Sequence, residues 1–400
     1  MEREYRTHRT REALLPSLWD ISKREWKRIF SNKIYPACML GAPLFCCFFF
    51  ISLMWNGLPT DLPVAYLDLD HSAQSRNLGR QLDAFSQTRI VMHCASFPEA
   101  REAMQRGDIY AFILVPKHFE RDVVSGKQPK ISFYTNNSFL IAGSLLFRDM
   151  KTIATLAAAA AGREQRRARG YTDRQIMAQL QPVAIDTHAL GNPLLNYSVY
   201  LNNSILPGIL QLMVMLVTVF SIGIEIKERT ARRWLQMGNH FLSFCLLGKL
   251  LPHTIIFFVV GLGMLSLLYA FMQFPIQGGL FPMIMALFLL ILSAQGLGIV
   301  MIGLLPTLRL GLSLASLFCM LSFSVAGFSF PVSAMYPPIQ ALSNIFPLRH
   351  YYLLYVDQAL NGRSFFYSTS HYLALLLFLL LPFFVLRNLK RALLYFEYKP

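Results

Sequence analysis

Six long apolar segments alternate with polar ones along this 400-residue chain, at roughly 34–55, 204–225, 250–272, 280–305, 309–330 and 369–387. Each approaches the twenty or so residues that a helix needs to cross a bilayer. No Asp, Glu, Lys or Arg occurs from Leu250 to Leu308, nor from Leu310 to Leu348. A charge at mid-membrane costs about 2.5–3.5 kcal/mol on insertion scales, so a bilayer demands such stretches and a water-solvated surface does not. Prolines 43, 207, 252, 282, 306 and 382 fall inside or at the ends of these segments. Membrane helices accept them because neighbours satisfy the freed carbonyls. The segment 34–55 is too long, and its polar lead too extended, for a cleaved signal; it reads as an uncleaved first span.

Between the first and second apolar segments the period changes. Leu62–Asp68, Arg89–Cys94, Ile109–Val115 and Lys130–Thr135 alternate like strands. Ala73–Phe85, Pro98–Arg106 and His118–Val124 between them carry a helical period. The order is βαβαβαβ, a small α/β domain. The stretch 138–180 reads as helical, with an alanine run at 157–161. The expected fold is therefore an α-helical polytopic membrane protein with six transmembrane helices and an α/β domain inserted between the first two. The expected limits are a lead at 1–33 and a first span at 34–55. An insert with a helical stalk follows at 56–203, then a five-helix core at 204–388 and a tail at 389–400. Phe330 to Pro347 is uncharged but interrupted by Pro337 and Pro338, which suits short re-entrant or interfacial helices rather than a seventh span.

Composition agrees: 54% of residues are hydrophobic and only 15% charged. The net charge of +15 would suggest nucleic acid in a soluble protein. Here many Lys and Arg flank apolar segments, so no nucleic-acid partner is expected and lipid contact is. Nine Lys/Arg precede Ile34. Lys227, Arg229, Arg232, Arg233 and Lys249 lie between the second and third segments, and Arg387, Lys390, Arg391 and Lys399 follow the last. Phe274 to Gly279 carries no charge. Both termini and the second-to-third link are therefore expected in the cytoplasm, with the insert outside. The run Arg163, Arg166, Arg167 and Arg169 in the insert does not reverse this, because long domains translocate largely regardless of charge. Before the first span, Leu18, Ile21, Trp26, Ile29 and Phe30 are spaced among basic residues, as in a helix lying at the interface.

Little catalytic chemistry is legible. The fragment nearest to a phosphate-binding loop is Gly248-Lys249, with neither the upstream glycine nor a following Ser/Thr. No metal-ligand spacing occurs, and no nucleophile elbow. The six cysteines read as small apolar packing residues, and His253, inside the third segment, as a hydrogen-bonded structural group. No cofactor is expected in the chain. A secondary transporter would place ionisable groups near the midplane, where none is found. A membrane anchor or sensor using the insert for assembly would need fewer spans.

Four stretches resemble the type-2 permease subunits of bacterial ATP-binding-cassette (ABC) exporters with a large periplasmic insert. The first is Arg24, Glu25 and Trp26 leading through Asn32 and Lys33 into the first span. The second runs from Gly107 and Asp108 through Val115, Pro116, Phe119 and Gly126 to Thr135, Asn136 and Asn137. The third is Glu225, Lys227, Glu228, Arg229 and Thr230 with Trp234 and Leu235, followed by Leu247 through Pro252. The fourth is Phe346 through His350, followed by Asn361 and Gly362. The family usually has a glycine where Arg229 stands. The resemblance implies a permease driven by ATP bound to a separate ABC ATPase subunit. It also implies a second permease copy or paralogue, a periplasmic adaptor and an amphiphilic or drug-like cargo. It assigns ATPase coupling to Arg24, Glu25, Trp26, Glu225, Lys227, Glu228, Arg229, Arg232, Arg233 and Trp234, with Trp234 as an apolar knob on the contact surface. It assigns an outer gate to Pro331, Pro337, Pro338 and Pro347.

Overall fold

The computed structural model describes residues 18–180, 188, 191–192 and 196–395. The expected basic residues before Leu18, and Lys399, lie outside them. The chain divides into two compact units, one of Met1–Trp55 with Ala189–Pro400 and one of Asn56–His188.

The first unit is helical. Helix α1 spans 18–31. Among the described residues, six helices are long and apolar enough to cross a membrane: α2 (Ile34–Leu53), α8 (Tyr197–Lys227), α10 (Leu242–Phe271), α11 (Leu280–Leu304), α12 (Leu308–Val325) and α15 (Phe365–Tyr395). Within their most apolar windows, α8 and α11 bury 67% and 72% of residues, whereas α2, α12 and α15 bury 28% each. The two are thus the inner helices, and the others expose large apolar side chains such as Phe45, Met320 and Phe384. Helix α2 turns Tyr35, Met39, Cys47 and Ile51 inward, a near-fourfold spacing that keeps one face on the core.

Helix α8 begins seven residues before the apolar segment at 204. Asn196 caps it, accepting from Ser198 N at 2.9 Å. Its first turns carry buried Ser198, Asn202, Asn203 and Ser204. Polarity hides these residues from a hydropathy count, yet they bond within the bundle. Asn202 Nδ2 donates to Ser198 Oγ at 2.9 Å, and Asn203 Oδ1 accepts from Tyr269 OH at 2.9 Å. Between α12 and α15 come a 3₁₀ turn (Val332–Ala334), α13 (Pro337–Ser343) and α14 (Pro347–Leu354). Pro337, Pro338 and Pro347 occupy the first positions of these helices. There a missing N–H costs nothing, so these prolines start helices rather than break one.

The second unit holds a four-stranded sheet ordered β2-β1-β3-β4: β1 (Leu62–Asp68), β2 (Thr88–His93), β3 (Ala111–Val115) and β4 (Ser132–Thr135). β1 pairs parallel with β2 and β3, and β3 antiparallel with β4. Helices α3 (Ala73–Asp83), α4 (Phe97–Arg106), α5 (Phe119–Val124), α6 (Leu140–Ala168) and α7 (Asp173–Leu180) complete the unit. Strand alternation separates two cores. Val64, Tyr66, Ile113 and Val115 face Leu78, Leu82, Leu146 and Met150. Ala65, Leu67 and Phe112 face Ala100 and Ala103. The sheet is covered on both faces, as parallel pairing requires. The helical reading of 138–180 resolves into α6 and α7, separated at Gly170 with φ +82°.

Candidate functional site

The chemistry of the first unit is concentrated where α1 lies across the ends of α8 and α10. Ile21, Ser22, Glu25 and Ile29 fall on one face of α1 and are all buried. Glu225 lies near the last turn of α8, and Lys249 in the second turn of α10. Lys249 and both glutamates are essentially inaccessible to solvent.

These buried charges are paired. Lys249 Nζ donates to Glu25 Oε2 at 2.7 Å and to Glu225 Oε1 at 2.9 Å. Glu225 also accepts from Arg24 at 2.9 Å, from Arg28 at 2.6 Å and from the Thr230 hydroxyl. Arg28 bridges onward to Glu228. Nε2 of His253 lies 3.2 Å from Glu25 Oε1. The Lys249 ammonium sits 5.1 Å from the centre of the Trp234 ring. Three carboxylates therefore meet three cations, Lys249, Arg24 and Arg28. Burial by itself would raise the Glu25 carboxyl, but Lys249 and His253 outweigh it and hold the group below its ordinary value of 4.5.

Local sequence explains why Lys249 can reach this place. A Cβ on Gly248 would lie 3.0 Å from Ile21 Cβ and 3.2 Å from the carbonyl of Leu18. A side chain at this position would crowd α1 and require it to give by a few tenths of an ångström. Pro252 has no N–H, so the carbonyl four residues earlier, that of Gly248, loses its helical partner. The Ser22 hydroxyl donates to that carbonyl at 2.8 Å. Gly248, Lys249 and Pro252 thus do three jobs: close approach, charge neutralisation and a free acceptor for α1. Lys249 and His253 are four residues apart and share one helix face.

The coupling residues expected from the sequence divide by burial. Glu25 and Glu225 belong to the buried network, with Arg24 at its edge. Trp26 is half-buried and stacks on Phe30, their centroids 5.8 Å apart. Lys227, Glu228, Arg229, Arg232 and Arg233 are exposed on the connection from α8 into α9 (Ala231–Met237). Trp234 differs from expectation. It is fully buried, packed over Lys249, and so is no surface knob. Its helix is only two turns long, and one face must cover the cluster. Arg229 has φ +56°, the left-handed conformation that glycine adopts freely.

The four prolines assigned to a gate lie in a separate part of the unit. Pro331, Pro337 and Pro338 are exposed, and Pro347 is buried. Arg28, Thr230, Lys249 and His253 were not among the coupling residues read from the sequence. Lys249 did carry a signal: it is the last charge before 59 uncharged residues, and it follows a glycine. Among the described residues no group of His, Cys, Asp or Glu could hold a metal ion.

A family model described as "ABC-2 family transporter protein" matches residues 33–386. Helix α1, which carries Arg24 and Glu25, precedes that stretch. No curated protein matches the chain.

Proposed function

The chain belongs to the ABC-2 transporter family and is a multi-pass membrane protein, and from that premise we propose that it is the permease subunit of an ABC exporter. It moves an amphiphilic or drug-like substrate out of the cytoplasm or inner membrane, using ATP hydrolysed by a separate subunit. A second copy or paralogue completes the pathway, and a periplasmic adaptor extends it. Both termini and the α8–α9 connection face the cytoplasm of a bacterial cell. The Asn56–His188 unit is the inserted α/β domain, on the opposite side.

One observation carries the reading. The exposed residues Lys227, Glu228, Arg229, Arg232 and Arg233 sit on a connection fixed to α1 and α10 by buried ion pairs. A permease that receives work from a partner needs a polar contact surface rigidly joined to its spans. A loosely attached loop would absorb a push instead of transmitting it. The division of labour also has support. In Gly248-Lys249, the lysine is held between two carboxylates inside the protein and is not free for phosphate. The prolines at 331, 337, 338 and 347 belong in this reading to the outer gate.

Arg232 and Arg233 are exposed and take no part in the Lys249 cluster, so reversing them tests the surface without breaking the fold. The double change Arg232→Glu/Arg233→Glu is expected to lower co-purification with the ABC ATPase and to uncouple its ATP turnover at least tenfold. The permease itself should elute unchanged. Failure of any P-loop ATPase to associate with a stable wild-type chain would sink the proposal. A cysteine placed near Arg166 should be labelled from outside the cytoplasm; labelling only from within would reverse the orientation.

A further inference from the structure

The second unit holds a cavity of about 720 Å³ between α6 and the segment that leads from α5 into β4. Its size falls within the roughly 300–1,000 Å³ of small-molecule sites. The core face of α6 changes along its length. Leu146, Met150 and Ile153 pack into the core beside the sheet. The next positions at helical spacing are Ala157 and Ala161, followed by Gln165. Alanine at two successive turns leaves open the space that a longer side chain would fill. Helix α7 closes one side, where a Cβ on Gly162 would lie 2.8 Å from Leu180 Cδ2.

The lining is divided by chemistry. Phe119, Val123 and Ile131 join the alanines of α6 in an apolar floor. Lys127, Lys130 and Arg166 also line the cavity, and no carboxylate does. Lys127 reaches one carboxylate, Asp122, at 3.7 Å; Lys130 and Arg166 reach none among the described residues. Neutral acceptors hold Arg166 instead. Its Nε donates to Gln179 Oε1 at 3.1 Å and its Nη1 to the Gly162 carbonyl at 3.1 Å. The polar end is fixed by a close contact: a Cβ on Gly126 would lie 2.7 Å from Gln165 Nε2. Lys127 and Arg166, each next in sequence to that contact, share this end of the cavity. Cations gathered without acids repel one another, and a bound anion relieves the repulsion.

We infer that this cavity binds a single-chain amphiphile with an anionic head. The alkyl chain lies along Ala154, Ala157 and Ala161, and the head between Lys127 and Arg166, with Lys130 at the side. From Ala154 to Arg166 the helix rises about 18 Å, which suits a chain of medium length. The site is contained in the α/β unit and stands whether or not the chain couples to an ATPase.

The full chain, purified in a sterol-based nonionic detergent, can be titrated by native mass spectrometry with laurate, dodecanol and dodecylamine. These share one chain length and differ in head charge. Laurate should bind about tenfold more tightly than dodecanol, the sum of about two half-exposed ion pairs, and dodecylamine more weakly than either. Lys127→Gln/Lys130→Gln should remove most of the preference for laurate and leave dodecanol bound as before. Both lysines are exposed, so the double variant should unfold like the wild type. Ala158→Phe, at the exposed edge of the cavity, should weaken laurate and dodecanol alike by filling it. Probe adsorbed on the apolar spans is common to all variants and cancels in the comparison. Laurate bound no more tightly than dodecanol by the wild type would overturn the assignment. So would a preference unchanged in the lysine variant, or laurate binding undiminished in Ala158→Phe.

Discussion

The two ends of helix α8 handle buried polarity in opposite ways. At its last turn, Glu225 is held by Lys249, Arg24 and Arg28, so full charges are brought inside and neutralised in pairs. At its first turns, Asn202, Asn203 and Ser204 are equally buried, but they are neutral and hydrogen-bonded, with only the Asn202 Oδ1 left without a partner among the described residues. The difference teaches what each end can tolerate. Neutral groups lose one hydrogen bond when a partner is removed. Buried ions lose the compensation for their desolvation, which is several-fold larger. The charged end is therefore the stiffer of the two and the less tolerant of change. The neutral end, on the helix that packs against α14, abides small rearrangements.

The largest expected effect comes from Lys249→Met, which leaves Glu25 with no cation and Glu225 with only its arginines. Thermal unfolding in detergent should report a loss of about 3–5 kcal/mol. Adding Glu25→Gln should restore part of it; a single variant as stable as wild type would show that the cluster does not hold α1. Next is Tyr269→Phe at the neutral end, which strips Asn203 Oδ1 of its donor. Here the same assay should read about 1–3 kcal/mol. If this loss equalled that of Lys249→Met, the contrast between the ends would fail. The smallest effect is a gain. Arg229→Gly removes a side chain from the left-handed region, where most residues pay about 1–2 kcal/mol. A net stabilisation of about 1 kcal/mol is expected, and a loss instead would mean that the Arg229 side chain, not its backbone, matters most.

Much of the architecture was readable before the structure. The apolar segments coincide with the six long helices, because each window meets the length and hydrophobicity conditions alone. The segments of twofold alternation contain β1 to β4 in whole or nearly so, for the same local reason. Boundaries were less legible where polarity is internal. Helix α8 starts at Tyr197 because Asn196 caps it and because its polar residues bond inside the bundle, and hydropathy sees neither fact. The candidate site was readable only by half. Its exposed charges announce themselves as a basic cluster after a span. Its buried half looks like more of the same cluster, since charge alone does not distinguish a solvated Arg232 from an enclosed Lys249.

The sequence by itself determined the spans, the strands and the position of the charged segments, since each follows from interactions within one window of chain. Only the tertiary structure decided which charges are paired. Lys249 and Glu25 are 224 residues apart, and Arg24 and Glu225 are 201 apart. Pairing across such separations depends on how helices pack, and here α1 packs closely on Gly248 and places its Ser22 hydroxyl on the carbonyl that Pro252 leaves free. The same packing turned Trp234 from a residue that looked fit for a partner into one that covers a buried ammonium.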